Sequence, residues 1–167
     1  MLLLLIGLCI FQLDLVQSDL QVIITDMKIE ANDNYFGSCE AIPCENDDMV
    51  AQFSFSCEIK KKLPVEGSTK AVLLQKVQGE PMEPTGIDMD ITFDQMVNDS
   101  VIVCPFLGAL HIPCVWPLEP AAMSLDCYAP PMNFMPDFFP PGDYTFTFDL
   151  TCDKLALFNL IAEFSLF

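Results

Sequence analysis

Apolar and polar residues alternate without a break from Ala51 to Ile59: Ala51, Phe53, Phe55, Cys57 and Ile59 against Gln52, Ser54, Ser56 and Glu58. A period of two places each set on its own face of a strand, one toward a core and one toward water. The same reading predicts strands over 20–29, 69–77, 86–93 and 144–150, with shorter ones at 101–104 and 107–112. Along 86–93, Ile87, Met89, Ile91 and Phe93 share a face. Residues 154–167 close the chain as a strand. Leu155, Leu157 and Phe158 also fit a helical period over 154–161, but no helix stop separates them from 163–167. Asp153-Lys154 predicts a tight turn that makes the last two strands a hairpin. About eight strands with almost no helical stretch predict a sandwich or a barrel.

Two stretches interrupt the pattern. Gly37-Ser38-Cys39-Glu40-Ala41-Ile42-Pro43-Cys44 reads as a turn pinched by a Cys39–Cys44 disulfide, opening the strand that follows over 50–59. Pro113 to Pro141 holds eight of the thirteen prolines, together with Trp116, Met123, Met132, Phe134, Met135, Phe138 and Phe139. Proline at this density excludes a central strand or a long helix, so 113–141 is expected to be irregular. Its apolar load is unlike that of a hydrated linker. The segment therefore covers an apolar opening or inserts into something apolar. Trp116, Phe134, Phe138 and Phe139 are the expected rim and membrane-contact residues; the competing reading is a loop packed on its own sandwich.

The first residues, Met1 to Phe11, form an apolar run too short for a bilayer, which takes about 20 residues. With Val16-Gln17-Ser18 they read as a signal peptide over 1–18, leaving one domain over 19–167; a buried N-terminal helix is the alternative. Loss of Cys9 leaves Cys39, Cys44, Cys57, Cys104, Cys114, Cys127 and Cys152, an odd set expected to be largely disulfide-bonded in an oxidising compartment. At least one thiol is then free or joined to another chain. Asn98-Asp99-Ser100 is a glycosylation sequon at Asn98. Seven Lys, no Arg and 24 carboxylates give a formal charge of −17, which excludes nucleic acid as a partner.

Catalytic and metal-binding patterns are missing. His111 is the only histidine, no Ser lies in a Gly-x-Ser-x-Gly elbow, and the cysteines form no Cys-x-x-Cys sets. Asp88 and Asp90 flank Met89 as an ordinary solvated pair. No enzyme, metal or cofactor is expected. Phe and Met are plentiful, and they suit a cavity that accepts variable chains, against the alternative of an ordinary packed core. The expected cavity residues are Phe53, Phe55, Ile87, Met89, Ile91, Phe146 and Phe148.

Cys39…Pro43-Cys44 followed by an alternating strand, then Thr69-Lys70-Ala71-Val72, Gly86-Ile87-Asp88 and Cys104-Pro105-Phe106, resembles the ML lipid-recognition domain family. Its members include a cholesterol carrier, group-two mite allergens and a ganglioside activator. Pro136-Asp137-Phe138-Phe139-Pro140-Pro141-Gly142-Asp143-Tyr144 is similar to the entry into that activator's penultimate strand. The resemblance covers about residues 20–167 and implies an all-β, immunoglobulin-like β-sandwich with two splayed antiparallel sheets around an apolar cup. The family's bridge between first and last strands has no cysteine at either place here. The usual upstream partner of Cys104 is also replaced, at 98–100, which leaves Cys114 or Cys127 as candidates; Cys57 and Cys152 have no assigned partner.

The resemblance implies a non-enzymatic carrier, secreted or in the lysosomal or endosomal lumen. It would take a sterol, fatty acyl chain or glycolipid between its sheets through transient membrane contact, with presentation to a lysosomal hydrolase as one option. The alternative class is a disulfide-linked secreted interaction protein without a lipid.

Overall fold

The computed structural model describes residues 21–45, 51–76, 82–98, 103–130 and 139–167. Eight strands and two short helices follow one another in the order β1 (Val22–Ala31), β2 (Phe36–Pro43), β3 (Phe53–Ile59), β4 (Ser68–Lys76), β5 (Glu83–Thr92), α1 (Phe93–Asn98), α2 (Val103–Ala109), β6 (Ala121–Tyr128), β7 (Gly142–Cys152) and β8 (Leu155–Leu166). The strands form a two-sheet antiparallel sandwich, β1-β8-β7-β4-β5 against β2-β3-β6. The expected leader over 1–18 lies outside the described residues.

Register explains which residues face inward. In the larger sheet Thr69, Ala71 and Leu73 of β4 stand opposite Leu150, Phe148 and Phe146 of β7. These in turn stand opposite Phe158, Leu160 and Ala162 of β8, and then Ala31, Ile29 and Met27 of β1. The other face carries Lys70, Asp149, Asn159, Glu163, Lys28 and Glu30, which belong in water. In the smaller sheet Phe55 of β3 lies between Ala41 of β2 and Leu125 of β6. The two apolar faces meet in a buried cluster that includes Phe36, Phe55, Ile59, Phe93, Leu150 and Leu157.

Thr69 is the exception on the inner face. It is fully buried, and its hydroxyl has no hydrogen-bond partner. Leaving such a donor unpaired costs about 1–3 kcal/mol. Thr69→Val keeps the shape and β-branching, so it is expected to raise stability by about 1 kcal/mol in urea titration. A loss of stability would show that the hydroxyl is satisfied.

The Asp153-Lys154 hairpin and the final strand are as expected, with both turn residues in the left-handed region (φ 46° and 70°) that two-residue hairpins require. Other expectations are corrected. Residues 37–44 lie mostly in strand β2 and do not make a turn. An extended span of five residues separates its cysteines by ~17 Å, far beyond the about 7 Å a disulfide can bridge. Cys39 instead pairs with Cys57, directly opposite on β3, and Cys44 with Cys127 on β6. Cys104 pairs with Cys114, and Cys152 is the free cysteine among the described residues.

From Val103 on, where the residues are described, the short strands expected over 101–104 and 107–112 are replaced by α2 and a turn; residues 101 and 102 lie outside the described residues. Val103, Phe106, Leu107 and Leu110 recur at helical spacing, and Pro105 is tolerated in a first turn. Phe93 belongs to α1, because Thr92 and Gln95 close a reciprocal capping box. The Gln95 amide N–H donates to the Thr92 hydroxyl (3.4 Å), and the Thr92 amide N–H donates to the Gln95 side chain (3.0 Å). The proline-rich segment is not irregular throughout, since β6 fits in the proline-free interval between Pro120 and Pro130. It is an edge strand, where flanking prolines do least harm.

Candidate functional site

The inner face is closed at its two ends and less so between them. At the end that carries the Asp153-Lys154 turn lies the large cluster already named. At the end of the first and last strands, Val22, Leu73, Tyr144, Leu166 and Phe139 form a second buried cluster. The Tyr144 hydroxyl donates to the Pro140 carbonyl (2.6 Å), and its ring stacks on Phe164 at 5.6 Å. Burial raises the Tyr144 phenol above its ordinary pKa.

Between the clusters runs a band of inward apolar side chains that keep part of their surface accessible. Met27 and Ile29 of β1, Leu160 and Ala162 of β8, Phe146 and Phe148 of β7, and Met89 of β5 are all only half-buried. A sandwich core packed to ordinary density would close over such positions. Leu160, Ala162 and Met89 belong to neither cluster.

The opposite wall is aromatic. Phe106 of α2 lies 5.3 Å from Phe55, 6.2 Å from Phe53 and 5.7 Å from Tyr128, centroid to centroid. The helices therefore pack on the inner side of β3 and β6. Burial also raises the Tyr128 phenol. The inward positions named here are aliphatic, aromatic or thioether and none is cationic, so anything lodged between these faces would have to be uncharged and apolar.

Phe53, Phe55, Met89, Ile91, Phe146 and Phe148 all stand on these facing surfaces. Ile87 does not join them fully. It is 41% exposed, beside Gly86, whose φ of 84° and the register shift between Val72 and Leu74 turn the edge strand outward. Met27, Ile29, Leu160, Ala162, Phe106 and Leu125 were not anticipated, although alternation along 158–165 marks Leu160 and Ala162.

The expected rim set is divided. Trp116 packs on Phe93 with centroids 4.2 Å apart, and its indole N–H donates to the Pro64 carbonyl (2.8 Å). Phe139 is only 7% exposed and lies against Tyr144 in the other cluster, at the opposite end of the sandwich. The two are separated by the length of β6 and make no common rim. Phe134 and Phe138 lie outside the described residues. Asn98 ends α1, exposed, with its side-chain amide donating to the Asp94 carbonyl (2.8 Å). Asp88 and Asp90 are exposed on the outer face, and His111 is exposed in the turn after α2.

A mainly polar depression of about 240 Å³ lies beside the second cluster, lined by Thr25, Lys76, Met82, Asp143 and Glu163 together with Tyr144 and Phe164 of that cluster. Among the described residues no three His, Cys, Asp or Glu side chains converge where a metal ion could bind, and no helix is long and apolar enough to cross a membrane. Three disulfides within one chain fit an oxidising compartment. Comparison with models of known protein families finds no match to this chain, and a search of curated proteins likewise finds none.

Proposed function

We propose that this chain is a secreted or lysosomal lipid carrier without catalytic activity, taking a lipid tail or sterol between its two sheets. The observation that carries the reading is the set of half-buried inward residues Met89, Leu160 and Ala162, which belong to neither buried cluster, flanked by Met27, Ile29 and Phe148 packed on one cluster and Phe146 on the other. A ligand filling that band adds about 0.8 kcal/mol per buried methylene relative to water, and nearly nothing relative to a membrane. Exchange with a bilayer is then close to neutral, as a shuttle requires. The resemblance to the ML family also implies a two-sheet antiparallel sandwich, and the observed architecture agrees with it at that level. Glycan attachment at Asn98, and presentation of a glycolipid to a hydrolase, belong to this reading as further proposals.

The rival is a disulfide-linked interaction protein joined through Cys152. Burial, Asp153 and Glu66, in that order, raise the pKa of the Cys152 thiol. A raised pKa lowers the share of thiolate, and a nonreducing gel reads directly whether the thiol is joined to another chain.

The test is mass spectrometry of lipids extracted from the protein secreted by eukaryotic cells, beside uptake of a fluorescent lipid by wild type and Ala162→Trp. Ala162 lies between Phe146 and Met27, so an indole there fills the band. Uptake is expected to fall at least about tenfold while the fold is kept, an excess side chain being tolerated where space is open. An apo protein that takes up no lipid at neutral or lysosomal pH overturns the reading. A covalent dimer on a nonreducing gel would turn attention to Cys152.

A further inference from the structure

Large apolar side chains exposed to water are scattered on most of the surface, but three of the most exposed gather at one end of the sandwich. Val65 is 65% exposed, Val115 60% and Leu155 44%. Their loops are joined by the contacts already seen around Trp116: the Leu63 amide N–H donates to the Leu118 carbonyl (3.0 Å), and Trp116 donates to Pro64. Leu155 follows the Asp153-Lys154 turn, where it stands opposite Cys152, and Glu66 lies close enough to Cys152 to shift its thiol. Pro64, Pro113 and Pro117 stiffen the same surface.

This end also differs in charge. Four of the seven lysines, Lys60, Lys61, Lys62 and Lys154, lie here and are exposed. Lys60 donates to the Asp33 carbonyl (3.1 Å), Lys61 sits 4.1 Å over the Tyr35 ring, and Lys62 pairs with Glu119. Within the loops 32–35, 60–67, 110–119 and 153–155 they are balanced by Asp33, Glu66, Glu119 and Asp153, so the loops themselves are formally neutral in a chain of −17, with Glu30, Glu58 and Asp94 on the elements behind them. A membrane meeting this end first meets formally neutral, lysine-bearing loops with apolar tips.

We infer that the end bearing Val65, Val115, Leu155 and Lys60–Lys62 is the surface by which the protein docks on phospholipid bilayers. The inference rests on the carrier reading and gives it a place of contact. Valine and leucine tips enter the headgroup boundary, and the flanking lysines meet anionic phosphates there through long flexible stems.

Wild type, Val65→Asp/Val115→Asp and Lys60→Gln/Lys61→Gln/Lys62→Gln are sedimented with vesicles of phosphatidylcholine, with and without phosphatidylserine. The valines are exposed, so their replacement leaves the fold intact, as circular dichroism would show. The bound fraction is expected to fall about tenfold or more in the aspartate variant. The glutamine variant is expected to lose the gain that phosphatidylserine confers on wild type. Equal binding by wild type and the aspartate variant, or no binding by wild type, overturns the inference. Uptake of a fluorescent lipid added without vesicles is read in parallel. If it is unchanged in the aspartate variant, docking is separated from the interior; if it is absent in wild type, the carrier reading alone fails.

Discussion

Replacing Cys44 and Cys127 together by alanine is expected to cost about 4–5 kcal/mol, the largest loss of any disulfide in the molecule. The bridge joins residues 83 apart in sequence, whereas Cys39–Cys57 spans 18 and Cys104–Cys114 spans 10. In the chain-entropy account a cross-link acts on the unfolded state through the logarithm of the loop it closes, which gives about 3 kcal/mol for each of the shorter bridges. The long bridge also does local work, linking the end of β2 to β6 across β3. There the Ser54 hydroxyl accepts from the Cys127 amide N–H (3.2 Å) and donates to Asp126 (3.1 Å). For a domain of this size the melting temperature should fall by roughly 10–15 °C. Thermal unfolding of the three double-alanine variants checks the order. A Cys44→Ala/Cys127→Ala protein that melts above both others would refute the pairing, and nonreducing peptide mapping would then show the true one.

Phe93→Ala is expected to cost about 3–5 kcal/mol, since a fully buried ring is removed where its surroundings cannot collapse. Phe93 is 1% exposed and follows the Thr92 cap of α1; its amide N–H donates to the Gly67 carbonyl (3.2 Å), and its ring covers Trp116. Gly67 is fixed by the same ring. A Cβ there would lie 2.6 Å from the ring's tip and would also strike the Thr151 carbonyl, so the loop is already as close as it can come. Trp116 is the only tryptophan, which makes its fluorescence a direct reporter. Emission should move to longer wavelength in Phe93→Ala, along with an earlier urea midpoint. Phe93→Leu should lose much less, about 1–2 kcal/mol. Unchanged emission in the alanine variant would show that the indole does not depend on this contact.

Strands were legible where one face meets water. Ala51–Ile59 and Tyr144–Leu150 alternate because each strand separates a core from solvent, and their registers follow. The helices were not, because α2 is apolar on nearly every side and lies between sheet and loop, where amphipathic contrast fades. The Thr-x-x-Gln signature at Thr92 was present but lay at the end of an apparently continuous strand. Cysteine pairing needs three-dimensional register. Cys39 and Cys57 become partners only once β2 and β3 align, and spacing along the chain favours the wrong neighbour. At the candidate site the inward faces of β3, β5 and β7 could be read from alternation. The contribution of β1 could not, because the bulge between Ile24 and Asp26 exchanges the faces partway along the strand.

The pairing of β1 with β8 has a consequence for biosynthesis. The first described strand finds its hydrogen-bond partner in the last, from Val22 opposite Leu166 to Ala31 opposite Phe158. During vectorial synthesis β1 emerges well before β8 and remains an unpaired edge until Leu155–Leu166 has followed. Such non-local closure is slow, and an edge left open in the meantime invites association with other chains. Loss of β8 would therefore leave β1 without its hydrogen-bonded neighbour among the described strands, so β1 joins its sheet only after Leu155–Leu166 has been made.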